Sequence, residues 1–175
     1  IKESSLNRKV IFLCLLSIGI IGLLIRLYFE PYITLTGDAT NYFVYAADTS
    51  LTGKLSEIYY LTNNGWPMFL SILFSGTKLD DPFFLMELQR FSSIIISTVT
   101  IVPVYFLCRR FFNPECSLIG SSLFAFEPYI IINSSLGITE PLFLFLGISS
   151  LVLFLNNNHK LIYSSFAIAG LFTLV

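Results

Sequence analysis

Charge is what this sequence has least of. Lys, Arg, Asp and Glu make up 12% of its 175 residues, where a soluble domain carries about 25%. Ten basic residues against eleven acidic ones leave a net charge of −1, which says little by itself; the placement of the charges says more. Histidine and tryptophan occur once each, and the 3 cysteines, Cys14, Cys108 and Cys116, show neither C-x-x-C nor metal-ligand spacing. They read as small apolar residues in or beside helices. No glycine-rich phosphate loop, Ser-His-Asp set or metal-ligand cluster is present. What fills the sequence instead is apolar: 55% hydrophobic residues, with 18 Phe and 9 Tyr, and a mean hydropathy of +0.78. A chain this size cannot enclose so much apolar surface in one aqueous core. Composition therefore excludes an ordinary soluble domain, a nucleic-acid binder and a disordered tail, and points to an all-α, polytopic membrane helix bundle.

Hydrophobic runs mark the spans. Val10–Tyr28 predicts a first membrane helix; it ends in Arg26 to Pro31 with no small-residue cleavage site, so it reads as a retained helix rather than a signal peptide. Glu30–Asp81 is a polar, aromatic-rich first outer loop, broken by Pro31, Gly37, Gly53, Gly65 and Pro67. Within it Asn41–Leu51 predicts a short helix, and Gly65–Phe74 is apolar but too short to cross, as an interfacial or re-entrant helix would be. Further spans are expected at Phe83–Leu107, kinked by Pro103, and at Cys116–Ser134, interrupted by Glu127-Pro128. Pro141–Leu155 follows, with proline where its missing N–H is harmless, and Leu161–Val175 begins a fifth. Because the chain opens on Ile1 and stops inside an apolar run, it reads as the front of a longer protein. With the N-terminus cytoplasmic, Lys2, Arg8, Lys9, Arg109, Arg110 and Lys160 fall inside, as the positive-inside rule asks. Arg26, Lys54, Lys78 and Arg90 then fall outside, with all the acids except Glu3 and Glu115.

Few polar residues remain as candidates for chemistry. Asp38, after Gly37, either caps the helix that follows or is a carboxylate held at the membrane surface to accept a proton from an alcohol. Asp48, near the far end of that helix, reads as solvated or capping. Thr139-Glu140-Pro141 makes a good helix start with an acid near the positive end, yet a carboxylate at the lip of an apolar hairpin is functional by default. By the same rule Glu127 should face the bundle interior, paired with Arg90 or Arg26. Arg90 either snorkels to the interface or clamps a phosphate with its planar fork. Tyr59, Tyr60 and Trp66 form an interfacial belt or rim a lipid or sugar pocket. His159 carries no role, and Asn133-Ser134-Ser135 matches a glycosylation sequon close to the membrane.

Taken together these pieces resemble the front of the GT-C membrane glycosyltransferases, and most closely the dolichyl-phosphate-mannose–protein mannosyltransferase group and its bacterial and archaeal relatives. The resemblance is carried by Asp38, Tyr42 and Ala46 at four-residue intervals with Gly53 beyond, and by Asn64-Gly65-Trp66-Pro67. It continues with Arg90-Phe91-Ser92 ahead of the span that ends Tyr105 to Arg110. Its most specific part runs from Phe124-Ala125-Phe126-Glu127-Pro128 through Ser134-Ser135 to Thr139-Glu140-Pro141-Leu142-Phe143. It covers nearly the whole chain, and such enzymes are several times longer.

The resemblance implies a GT-C-like core of about five helices, with interfacial helices in the first outer loop, and inverting transfer of a sugar from a polyprenyl-phosphate (dolichyl) carrier. The acceptor would be a hydroxyl of a protein, lipid or glycan on the extracytoplasmic face of a plasma or endoplasmic-reticulum membrane. It implies Asp38 as catalytic base or substrate anchor, and Glu140, Arg90, Tyr42 and Glu127 about the substrate; it names no cofactor and leaves a divalent metal open. The sequence departs from the family where many relatives have Asp-Glu, since Ala39 follows Asp38, and where some carry a basic residue for the carrier phosphate, since Asn41 stands there. The alternatives are an oligosaccharyltransferase-like enzyme, a transporter or a non-catalytic membrane subunit. No internal repeat of the kind transporters show is present.

Overall fold

The computed structural model describes residues 7–29, 34–35, 37–57, 63–77 and 81–175. Expectations for Lys2, Glu3, Glu30, Pro31, Tyr59, Tyr60, Lys78 and Asp80 lie outside the described residues. Every element described is helical: α1 (Arg8–Tyr28), α2 (Asp38–Thr52), α3 (Gly65–Ser75), α4 (Pro82–Val99), α5 (Ile101–Cys108), α6 (Pro114–Ala125), α7 (Pro128–Ser135), α8 (Glu140–Phe154) and α9 (His159–Phe172).

Most helix starts share one local chemistry, an Asn, Asp or Glu side chain accepting from orphan backbone N–H groups of the first turn. Asn7 accepts from Lys9 N–H at 3.1 Å, Asn113 from Cys116 N–H at 2.9 Å and Asn158 from Lys160 N–H at 3.0 Å. Asp81 accepts from Phe83 and Phe84 ahead of α4. Pro82, Pro114 and Pro128 occupy the following position, where φ is preset and no N–H is wanted. At α2 the helix start differs from the expectation. Gly37 (φ 57°) takes the capping position, Asp38 sits in the first turn, and its carboxylate makes no capping bond. Gly53 (φ 68°) closes the same helix in the left-handed region.

Two helical runs are long and apolar enough to cross a bilayer, α1 with 21 residues and Pro82–Cys108 with 27; α6 and α7, bent by 50°, make a third if they are one span. α3 and α8 are shorter apolar helices. The break between α4 and α5 falls at Thr100, where Thr100 Oγ1 donates to Ile96 O at 2.7 Å. Pro103 explains its position, because a proline disturbs the carbonyl four residues earlier, here Val99. The α6–α7 bend falls at Phe126-Glu127, just before Pro128, again where a proline cannot continue the helix.

Contacts fix how the helices run. α1 is antiparallel to α4–α5: Arg26 meets Ser97, while one turn earlier Gly22 faces Ile101. α8 and α9 form an antiparallel hairpin, with Phe143 against Phe172 (ring centroids 4.2 Å apart), Ser150 donating to Ser165 O at 3.1 Å, and Phe154 edge-on to Phe166. α2 packs on α3 through Phe43 and Phe74, and the apolar core they form with the start of α4 is Ala46, Trp66, Leu70, Phe74 and Leu85. Arg26, expected near the outer boundary, is wholly enclosed. Its Nε donates to Ser97 Oγ at 3.2 Å, and its Nη1 donates to Gly22 O at 3.0 Å and Ala125 O at 2.9 Å. Ala125 O belongs to the last turn of α6, the negative end of that helix, so the guanidinium finds its counter-charge in carbonyls.

Candidate functional site

The site is built around the carbonyl of Gly137, in the turn between α7 and α8. Gln89, fully buried on α4, donates through Nε2 to Gly137 O at 2.7 Å and to Ala39 O at 3.0 Å. Trp66, fully buried on α3, donates through Nε1 to the same Gly137 O at 3.1 Å. One carbonyl and one amide thus bind the first turn of α2, which carries Asp38, to the turn that leads into Glu140. Gly137 has φ 73°, and a methyl there would lie 3.2 Å from Gln89 Cγ and 3.4 Å from Arg90 Cγ. Gly137→Ala is therefore expected to cost about 1 to 2 kcal/mol from left-handed backbone alone, with the crowding of Gln89 added; a thermal melt beside wild type measures it.

Asp38, Tyr42 and Glu140 share an electrostatic neighbourhood. Asp38 and Tyr42 stand four residues apart on α2, hence on one face. Burial first, and then the charges of Asp38 and Glu140, raise the Tyr42 phenol above its usual 10.0. Because the folded chain keeps this proton where the unfolded chain has lost it, stability falls as pH rises past 10.0. An absorbance titration of wild type minus Tyr42→Phe is expected to show a phenol ionising later than free tyrosine. An ordinary midpoint would remove Asp38 and Glu140 from its surroundings.

The individual side chains differ in how they are held. Asp38 is exposed and takes part in no hydrogen bond or ion pair among the described residues. Glu140 is half-buried; its Oε2 is enclosed and has no hydrogen-bond partner among the described residues. It lines a cavity of about 230 Å³ whose apolar walls include Phe124, Ile130, Phe143 and Leu144, with Asn133 as a further polar group. Thr139 does not cap α8 with its side chain: its hydroxyl donates to Val175 O at 3.2 Å and ties the segment after α9 to the residue before Glu140. Arg90 is buried beside Gly137 and pairs with Glu87 at 3.1 Å, so it does not snorkel to an open interface.

Two expectations are corrected by this geometry. Glu127 does not face the interior or pair with Arg26 or Arg90. It is exposed, and its Oε2 accepts from Ile130 N–H at 2.7 Å as the cap of α7. Trp66 forms neither a belt nor a pocket rim but the buried centre of the α2–α3 core, stacked on Phe69. Gln89 is the residue that sequence reasoning passed over. Its partners, Ala39 and Gly137, are 50 and 48 positions away, and nothing local distinguishes it from a polar residue on a helix face. Asn133 of the sequon sits within α7, and Ser135 is buried and donates to Ile131 O. A glycan acceptor needs an open surface loop instead.

No group of three or more His, Cys, Asp or Glu side chains that could hold a metal occurs among the described residues. No family model, curated protein or solved structure matches the chain.

Proposed function

We propose that the chain is the front of a polytopic membrane glycosyltransferase, with about five crossing helices and a cytoplasmic N-terminus, that transfers a sugar from a polyprenyl-phosphate carrier. The observation that carries the reading is that Gln89 ties the first turn of α2, which carries Asp38, to the turn leading into Glu140, which lines an apolar cavity. Such a juxtaposition suits a substrate with a hydroxylated head and a hydrocarbon tail, with Glu140 Oε2 available to a sugar hydroxyl.

In this reading the acceptor hydroxyl gives its proton to the exposed carboxylate of Asp38 as its oxygen attacks the anomeric carbon. The bond from that carbon to the carrier phosphate breaks on the opposite side, so configuration inverts. The released phosphate takes the electron pair, and a cation stabilises it; the candidate for that role is Arg90, whose Cγ lies beside Gly137 and whose guanidinium pairs with Glu87. The acceptor, whether protein, lipid or glycan, comes from the extracytoplasmic side. The test is transfer of labelled sugar from a polyprenyl-phosphate donor by the complete protein in liposomes, with Glu140→Gln beside wild type. A large rise in donor KM is expected for Glu140→Gln, and no transfer by wild type from any lipid-linked sugar would end the reading.

A further inference from the structure

The end of the molecule opposite the proposed active site collects five of the six exposed cations among the described residues, Lys54 being the other. α1 and α4–α5 are antiparallel, and the shared cavity sets Ser97 and Thr100 beside Glu140 and Leu144, so α5 and α8 run to the same end. There Arg8 and Lys9 open α1, Arg109 and Arg110 close α5, and Lys160 begins α9, all of them exposed. Glu115 is the acid at this end among the described residues. Arg8 and Lys9 make no side-chain hydrogen bond or ion pair among the described residues. One turn below them on the same faces stand Phe12 and Leu13, 64% and 58% exposed. These four residues line an open depression of about 400 Å³. The buried residues of α1 are Gly22 and Arg26, so no side chain in its first three turns is fully enclosed, and Arg8, Lys9, Phe12 and Leu13 are exposed.

We propose that this end of α1 binds an anionic phospholipid, with the headgroup phosphate between Arg8 and Lys9 and an acyl chain along Phe12 and Leu13. A guanidinium fork and an ammonium above an apolar wall fit a charged phosphodiester on a hydrocarbon chain. A zwitterionic headgroup would bring its own ammonium against the same cations. Arg109 and Arg110 add to the field and draw anionic lipid to this face. The inference stands whether or not the chain transfers sugar.

The experiment offers the purified full chain equal amounts of phosphatidylglycerol and phosphatidylcholine in detergent micelles and counts retained lipid by native mass spectrometry. Phosphatidylglycerol is expected to be retained in preference. Arg8→Gln/Lys9→Gln is expected to weaken its binding by about 25-fold, at roughly fivefold per charge, with an unchanged circular dichroism spectrum because both side chains are exposed. Phe12→Ser/Leu13→Ser is expected to weaken it as well, while inorganic phosphate in excess displaces little. Equal retention of the two lipids, or unchanged binding in the charge variant, would overturn the proposal. Ready displacement by inorganic phosphate without effect of the Phe12 and Leu13 changes would reduce the site to one for a bare anion, and overturn the lipid assignment too.

Discussion

Asp38→Asn in the complete protein is expected to lower sugar transfer by about 10²- to 10⁴-fold, the range that loss of a general base commonly brings. The fold should survive it, because Asp38 is exposed and holds no partner among the described residues. The change removes one charge and the ability to take a proton, and leaves the side-chain shape in place. Its effect should therefore fall on kcat, whereas Glu140→Gln, at a residue that lines the cavity, should fall on KM for the donor. Near-full turnover of Asp38→Asn would show that the proton goes elsewhere. Equal losses in KM and kcat for both variants would assign the two carboxylates one shared binding role.

The largest effect on stability is expected at Trp66. Trp66→Ala empties a fully buried position in the α2–α3 core, removes the stacking on Phe69 and deletes one of the two bonds to Gly137 O. A truncation of this kind costs about 3 to 5 kcal/mol. Trp66→Phe keeps most of the volume and loses the indole N–H, while Gly137 O retains Gln89. It should cost only about 1 kcal/mol. Because the chain has a single Trp, the comparison is made by circular dichroism melting rather than by fluorescence. Equal Tm values for Trp66→Ala and wild type would mean that α2 and α3 do not depend on this core.

What could be read from the sequence was local. Asp81-Pro82 marks the start of α4 to within a residue, because a cap acts within one turn, whereas the run Cys116–Ser134 gives α6 and α7 only as one span interrupted at Glu127-Pro128. The bare hydrophobic runs placed α1, α3 and α8. Pro103 announced a kink, though the break appears at Thr100, on the N-terminal side where the disturbed carbonyl lies. Some errors are local, since Gly37 and not Asp38 takes the capping position of α2, and others concern where a side chain comes to lie in the bundle. Glu127 looked like a buried acid because it interrupts an apolar run, yet the bend it caps turns it outward. Arg26 looked like an outer-boundary charge, but Ala125 O lies 99 positions away, and no local pattern reveals such a partner. Asp38, Tyr42 and Glu140 could be named from sequence; the Gln89 amide that holds their helices together could not.

The shortness of α8 has a consequence for the surrounding lipid. Its 15 residues, at about 1.5 Å each, rise about 22 Å, against a hydrocarbon core about 30 Å thick. If the α8–α9 hairpin crosses the bilayer, acyl chains beside it must compress or the polar flanks must be drawn inward. Glu140 opens that hairpin, so the lipid surface would dip towards its carboxylate. A lipid-borne substrate could then reach it with little lift of its head out of the leaflet, and the local thickness of the membrane would itself help to set how readily the site is reached.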